Sequence, residues 1–204
     1  ESLGQVGVGA GADAWDISRF WAPEVYFREG RYYLFYSADW RENPTREKEN
    51  FRIGIAVSDS PAGPFTDYLG RPLFDPGFPV IDANFFTDND GHCYLYFSRC
   101  CYKHPVESEI ADRAREEGTF GEIEESWVYG IELTRDLKHV IGEPVLLLRP
   151  PVTLDDRQSE WESRSVTSGE VNRRWTEGSV TFRRGDTYYM MYSANFFGGR
   201  HYAV

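Results

Sequence analysis

The chain has 204 residues, enough to bury a hydrophobic core as one domain, and 41% of them are hydrophobic, as in a globular protein. Its net charge of -11 argues against a nucleic-acid partner and against an anionic membrane surface, because both are themselves negative. No apolar run approaches the roughly 18 residues that a membrane span needs. A neutral ligand such as a sugar is compatible with these properties.

The three cysteines, Cys93, Cys100 and Cys101, are odd in number and lack the spacing of a disulfide framework. We interpret them as free thiols, which together with the lack of a visible signal peptide favours a cytoplasmic location. The four histidines are scattered, so no metal site of spaced cysteine and histidine ligands is predicted.

In chain order, residues 1–14 are interpreted as a glycine-rich linker or added segment, and residues 15–204 as the domain. The domain opens with a predicted hairpin, in which a short strand from Ala22 leads to a turn at Gly30 and to an aromatic strand ending at Ser37. Glycine at the turn supplies the positive φ that tight hairpins need. A further strand is predicted at residues 51–58.

The same pattern occurs twice more. The second copy starts at Asp82, turns at Asn89-Asp90-Gly91 and ends at Ser98, and further strands follow at residues 126–133 and 144–148. The third copy starts at Glu177, turns at Gly185 and ends at Ser193. About four strands per copy predict an all-β fold of propeller blades, with a β-sandwich as the rival architecture.

Insertions account for the uneven spacing of the copies. Residues 107–117 predict a short surface helix that ends at Gly118. Residues 150–175 are polar and are predicted to be a loop, which contains Trp161 and Glu162.

Aligning the three copies places Ala22, Asp82 and Glu177 at one position, where inner strands of a propeller converge on the mouth of the central channel. Two carboxylates there would suit glycosidic bond cleavage, which needs one acid to protonate the leaving oxygen and one base to activate water. Acids at strand starts are also common as ordinary turn residues, and Asp88 and Asp90 are interpreted as solvated turn residues.

Four motifs in this order resemble glycoside hydrolase family 43 across residues 15–204. They are Trp21-Ala-Pro-Glu24, the turn Ser58-Asp-Ser-Pro-Ala-Gly-Pro64, Ile81-Asp82-Ala-Asn-Phe-Phe with Asp88-Asn-Asp-Gly91, and Glu177-Gly178 before an aromatic hairpin. The resemblance implies a five-bladed propeller and single-displacement hydrolysis, with inversion, of arabinose- or xylose-containing plant polysaccharides.

The resemblance also assigns roles. It implies that Glu177 is the general acid and that Asp82 raises the pKa of Glu177 and orients it. Trp21 and Phe196 are candidates for stacking on sugar faces, although packing between blades explains them equally well. No cofactor is expected. The sequence neither predicts nor excludes a structural Ca2+ ion in the channel.

This sequence departs from the family pattern at the general base. The family places that Asp early in its first blade, and the surroundings of Asp13 and Asp16 do not resemble that motif. The chain is therefore expected to contain about three blades, to lack the first and the last, and to be nearly inactive alone. Blade faces left open by the missing neighbours predict self-association.

The sequence leaves three other functions to consider. A sugar-binding propeller without catalysis is supported by the lack of a residue that matches the family's general base. A relative of the invertase group would typically carry Arg-Asp-Pro where this chain has Ile81-Asp82-Ala83. A purely structural repeat protein is disfavoured because acids recur at the start of the inner strands.

Overall fold

The computed structural model describes residues 14–101, 106–118, 122–156, 167–168, 171–199 and 201–202. The predicted linker at residues 1–14 therefore lies almost entirely outside the described residues, as do Asp13, Trp161 and Glu162. The elements are β1 (Trp21–Arg28), β2 (Arg31–Asp39), β3 (Phe51–Ser58), β4 (Thr66–Asp67), β5 (Ile81–Thr87), β6 (Cys93–Cys101), α1 (Glu109–Glu117), β7 (Glu122–Leu133), β8 (Val140–Leu148), β9 (Thr167–Ser168), β10 (Val171–Arg184) and β11 (Thr187–Ala194).

The chain divides into two compact units. The first comprises Glu1–Phe97 and Gly130–Pro144, and the second comprises Ser98–Tyr129 and Val145–Val204. In the first unit, β1, β2, β3 and β4 are hydrogen-bonded in that order as an antiparallel meander. The predicted first hairpin and the strand at residues 51–58 are thus confirmed. One hydrophobic cluster on this sheet comprises Trp15, Leu34, Tyr36, Ala38, Ala56 and Phe65.

A second sheet of the same plan follows. β5 and β6 form the predicted second hairpin, and β7 and β8 continue the sheet in the order β5, β6, β7, β8. The predicted strands at residues 126–133 and 144–148 are confirmed, and both are longer than expected at their amino-terminal ends. Each four-stranded meander has the layout of a propeller blade.

The third hairpin, β10 with β11, belongs to the second unit. β10 begins at Val171, so the prediction of a loop over residues 150–175 is wrong at its carboxyl-terminal end. The added residues pair in parallel with the start of β7, from Val171↔Glu122 to Trp175↔Ser126.

Paired charges explain why this strand has a polar sequence. Arg173 lies beside Glu124 on the parallel ladder, with Nε 2.8 Å from a carboxylate oxygen. Arg174 lies beside Glu125, with Nη1 3.1 Å from Oε1, and both side chains are almost completely buried. A buried charge is tolerated when an opposite charge neutralises it, so these residues form a strand although their composition is typical of a loop.

The predicted helix is confirmed as α1, which begins two residues later than expected. Ser108 caps its amino terminus by accepting a hydrogen bond from the Ala111 amide at 3.0 Å. Gly118 ends the helix with φ 63°, in the left-handed conformation that glycine adopts at low cost. In the described part of the chain, no helix is both long enough and apolar enough to cross a membrane.

The first and third hairpins differ in what covers them. The register makes Val180, Phe182, Tyr189 and Met191 equivalent to Glu24, Tyr26, Tyr33 and Phe35. In the first hairpin this face packs against β5, since Tyr26 and Phe35 both contact the ring of Phe85. In the third hairpin the same face is 41–52% exposed.

Because of this exposed aromatic face, we expect the 204-residue chain to self-associate, with a second copy covering β10 and β11. Light scattering should show a mass that rises with concentration. Phe182→Ser should shift this rise to higher concentration, whereas Thr153→Ser, at an exposed polar position, should not. A monomer that persists at high concentration would contradict the prediction.

Candidate functional site

A left-handed residue recurs in the first strand of each hairpin. The residues are Ala22 with φ 46°, Asp82 with φ 58° and Gly178 with φ 60°. In β1 and β10 this residue lies within a break in the strand register, between Trp21 and Glu24 and between Glu177 and Val180. The copies are thus equivalent in backbone conformation. Non-glycine residues in this conformation are strained, and such residues concentrate at functional sites.

The register also refines the alignment made from the sequence. Trp21 pairs with Ser37 and Glu177 pairs with Ser193, at the same distance from their hairpin turns. Glu177 therefore corresponds to Trp21, and Gly178 corresponds to Ala22 and Asp82. The two candidate acids are offset by one residue in the repeat.

Asp82 lies in the first unit as the second residue of β5 and is half-buried. Two residues further on, the buried Asn84 donates from Nδ2 to Oε2 of Glu24 at 3.1 Å and to the Tyr26 hydroxyl at 2.9 Å. The Phe85 amide also donates to the Tyr26 hydroxyl, at 3.1 Å. This network joins β5 to β1 close to Asp82.

Tyr26 is the centre of this network. It donates its proton to Glu24 while it accepts from Asn84 and from the Phe85 amide. Burial, followed by the hydrogen bond to Glu24, raises the pKa of Tyr26. The side chain consequently stays a neutral hydroxyl that can donate and accept at the same time.

Glu177 lies in the second unit and is only 6% exposed. The backbone on both sides of it is anchored: the Thr176 hydroxyl donates to the Ser126 carbonyl at 2.8 Å, and the Gly178 amide donates to the Ser98 hydroxyl at 3.1 Å. A buried carboxyl group held on an anchored strand is what a proton donor of fixed orientation requires.

The two candidate sugar-stacking residues have different surroundings. Trp21, in the first unit, is 48% exposed and stacks on Phe51 with ring centroids 4.5 Å apart. Phe196, in the second unit, is half-buried and contacts Trp175, Phe197 and the Arg173 guanidinium. Trp21 therefore offers exposed ring surface, and the surroundings of Phe196 resemble packing. Both roles stay predictions.

Asp16 is buried, with 1% exposure, and accepts a hydrogen bond from the Tyr36 hydroxyl at 2.9 Å. A general base must reach a water molecule, so this burial does not favour Asp16 for that role. We assign no general base among the described residues. In the same part of the chain, no group of three or more His, Cys, Asp or Glu side chains could hold a metal ion.

The Glu24, Tyr26 and Asn84 network was not predicted from the sequence. Glu24 and Asn84 belong to two of the quoted motifs and Tyr26 lies two residues after the first of them, but the contact of the three depends on how β1 and β5 pack. In the sequence, Glu24 and Asn84 occupy matching positions in two copies of the repeat, two residues after Ala22 and Asp82 respectively. This match is the signal from which their contact could have been predicted.

Comparison with known proteins identifies one family. The model of the family described as "Glycosyl hydrolases family 43" matches residues 4–204. A xylosidase/arabinosidase 43A from Humicola insolens is 30% identical, and the match covers 93% of this chain and 54% of that protein. A xylosidase/arabinosidase from Bacteroides ovatus is 29% identical over 88% of this chain and 50% of that protein. The chain thus spans about half the length of these relatives.

Solved structures give the same assignment. A thermostable family-43 glycoside hydrolase is 31% identical and superposes with a TM-score of 0.70 over 92% of this chain and 50% of that one. An endo-arabinase from Bacteroides thetaiotaomicron is 28% identical, with a TM-score of 0.64 over 90% of this chain and 54% of that one. The predicted all-β propeller fold is confirmed by these similarities, and the chain belongs to glycosyl hydrolase family 43.

Proposed function

We propose that this protein hydrolyses glycosidic bonds in arabinose- or xylose-containing polysaccharides or oligosaccharides, with inversion at the anomeric carbon. The observation that carries the proposal is the buried Glu177, which lies near the start of the part of β10 that pairs with β11, in a chain that matches the family over nearly its whole length. The names of the similar proteins, xylosidase/arabinosidase and endo-arabinase, support a pentose substrate. A chain of net charge -11 is compatible with a neutral sugar.

In the proposed reaction, the Glu177 carboxyl group transfers its proton to the glycosidic oxygen as the bond from that oxygen to the anomeric carbon breaks. A water molecule attacks the opposite face of the sugar ring, and a general base removes its proton. We propose, from the family resemblance, that Asp82 keeps Glu177 protonated, because a neighbouring negative charge disfavours ionisation of an acid. We assign none of the described residues as the general base.

The roles proposed for Asp82 and Glu177 predict a change in pH dependence. Asp82→Asn removes the negative charge that raises the pKa of Glu177, so Glu177 should lose its proton at lower pH. The alkaline limb of the kcat/KM profile should therefore move to lower pH in the full-length protein. Asp186→Asn, at a fully exposed turn carboxylate, should leave the profile unchanged. An alkaline limb that does not move in Asp82→Asn would remove Asp82 from this role.

A second prediction concerns the 204-residue chain by itself. We expect it to be nearly inactive on aryl arabinofuranosides and aryl xylosides, because hydrolysis with inversion needs a base to activate water. Initial-rate assays of the purified chain test this. Robust turnover would contradict it and would direct attention to Asp16, or to an acid supplied by a second copy.

A sugar-binding protein without catalysis is the second candidate function, favoured by the unassigned general base. The two candidates differ in turnover by the full-length protein. Release of pentose sugars that Glu177→Gln strongly slows supports hydrolysis, whereas binding of oligosaccharides without turnover supports the second candidate.

A further inference from the structure

The first unit contains a cleft of about 460 Å³ that plays no part in the proposed reaction. Its volume is within the usual range for small-molecule sites. Three separate segments of the chain form it. The lining residues are Trp15, Trp40, Arg41, Glu42, Gly70, Arg71, Pro72, Phe74 and Asp75.

The strand register gives the position of this cleft in the blade. Trp40 follows directly after β2, whose last residue, Asp39, pairs with Phe51 at the start of β3. The segment that contains Phe74 and Asp75 runs back along β3, since the Leu73 amide donates to the Ile53 carbonyl at 2.9 Å. The cleft therefore lies across the start of β3, between the end of β2 and the segment that contains Phe74 and Asp75.

The cleft is at the same end of the first blade as Trp21, and Asp82 of the neighbouring strand β5 lies at that end as well. Trp21, at the start of β1, stacks on Phe51 at the start of β3, and the contacts of Asn84 with Glu24 place the starts of β1 and β5 side by side. β2 lies between β1 and β3, so the part of the cleft that residues 70–75 form is at least two strand spacings of roughly 4.8 Å from β1. That is far enough to be a separate site on the same end of the blade.

The lining combines aromatic walls with a polar rim. Trp40 and Phe74 are half-buried, and Trp40 is held by the Arg52 guanidinium, 5.3 Å from its ring centre. The rim residues Arg41, Glu42, Arg71 and Asp75 are exposed. Sugars present apolar ring faces together with hydroxyl groups that donate and accept, and such a ligand matches aromatic, cationic and anionic groups at once.

Two of the polar groups are fixed in place. Arg71 donates to the carbonyls of Pro72 and Leu73 at 2.9 and 3.0 Å, and to the carbonyl of Lys138 at 2.9 Å. Asp75 accepts from Arg52 and from the Gly77 amide, both at 2.9 Å. Side chains oriented in advance lose less entropy when a ligand binds.

We propose that this cleft is a second saccharide-binding site, which takes a linear pentose oligosaccharide by stacking on Trp40 and by hydrogen bonds to Glu42, Arg41 and Arg71. The choice of a pentose rests on the proposed function, whereas the existence of the site rests on the cleft itself. Its position would hold a distant part of a polysaccharide at the end of the first blade next to which β5 and Asp82 begin. The mixed charges of the rim favour a neutral sugar over an anionic or cationic ligand.

The test is calorimetric titration of the 204-residue chain with xylotetraose and arabinotetraose, and with cellotetraose as the hexose control. One or both pentose oligosaccharides should bind, and Trp40→Ala should weaken the binding roughly tenfold, as expected for a lost aromatic contact. Because Trp40 is half-buried, the exposed Glu42→Ala and Arg41→Ala variants are measured as well, and each should weaken binding several-fold. Tyr188→Ala, which truncates another aromatic side chain that is 51% exposed, should have no effect.

Binding that is unchanged in folded Trp40→Ala, Glu42→Ala and Arg41→Ala would overturn the proposal, as would the absence of any pentose binding. Equal binding of cellotetraose would overturn the choice of a pentose. Glu177→Gln should bind as tightly as the wild type. If the catalytic assignment fails while these binding results hold, the proposed function is wrong and the second site remains.

Discussion

Replacing Glu125 by alanine is expected to lower the free energy of unfolding by about 3–5 kcal/mol, the usual cost of breaking a buried ion pair from one side. Glu125 is completely buried and accepts from Arg149 at 2.9 Å, from Arg174 at 3.1 Å and from the Trp127 indole at 2.5 Å. The substitution leaves the guanidinium of Arg174, which is 1% exposed, without its carboxylate. The loss should therefore exceed that of an ordinary surface substitution.

Urea denaturation of the two proteins measures this loss by linear extrapolation. Glu116→Ala, at an exposed position on α1, is the matched control and should change stability by less than about 0.5 kcal/mol. A Glu125→Ala protein as stable as the control would show that the paired charges on β7 and β10 do not hold the parallel ladder together.

The hairpins could be predicted because their determinants are local. Alternating aromatic residues define the strands, and glycines at Gly30, Gly91 and Gly185 define the turns. The helix could be predicted for the same reason, since Ser108 and Gly118 lie at its two ends. Each of these signals lies within about ten residues of the element that it specifies.

The first part of β10 could not be predicted, because what stabilises it is far away in the chain. Arg173 and Arg174 are polar residues that a single sequence places in a loop, and only the pairing with Glu124 and Glu125 makes them a strand. The cleft was missed for a similar reason, since Trp15, Trp40 and Phe74 come together through the meander of β2 and β3.

The candidate acids were found through the repeat and the family resemblance together. The repeat places one acid near the start of β5 and another in β10, where that strand begins to pair with β11. It does not decide whether Glu177 or Gly178 is equivalent to Asp82, because the two are neighbours in front of the same turn. The left-handed conformation of Ala22, Asp82 and Gly178 makes that distinction. The residue types alone do not reveal this left-handed position, since alanine and aspartate rarely adopt positive φ.

The largest expected change in activity is that of Glu177→Gln in the full-length protein. Glutamine keeps the shape of the side chain but cannot donate a proton at neutral pH. Hydrolysis of natural pentosides should therefore slow by about 10²–10⁴-fold, the usual contribution of general acid catalysis. Glu143→Gln, at an exposed position on β8, should leave the rate unchanged.

The leaving group separates loss of a proton donor from general damage to the site. A natural glycoside needs protonation of its leaving oxygen, whereas dinitrophenolate leaves without it. Glu177→Gln should consequently slow a dinitrophenyl pentoside far less than a natural one. A variant that merely distorts the site would slow both substrates alike.

The most direct test of the catalytic assignment is thus the kcat/KM of wild type and Glu177→Gln on a natural xylo- or arabino-oligosaccharide and on the matching dinitrophenyl glycoside. We predict a loss of about 10²-fold or more on the oligosaccharide and a much smaller loss on the dinitrophenyl glycoside. Equal losses on both substrates would contradict the assignment of Glu177 as the general acid.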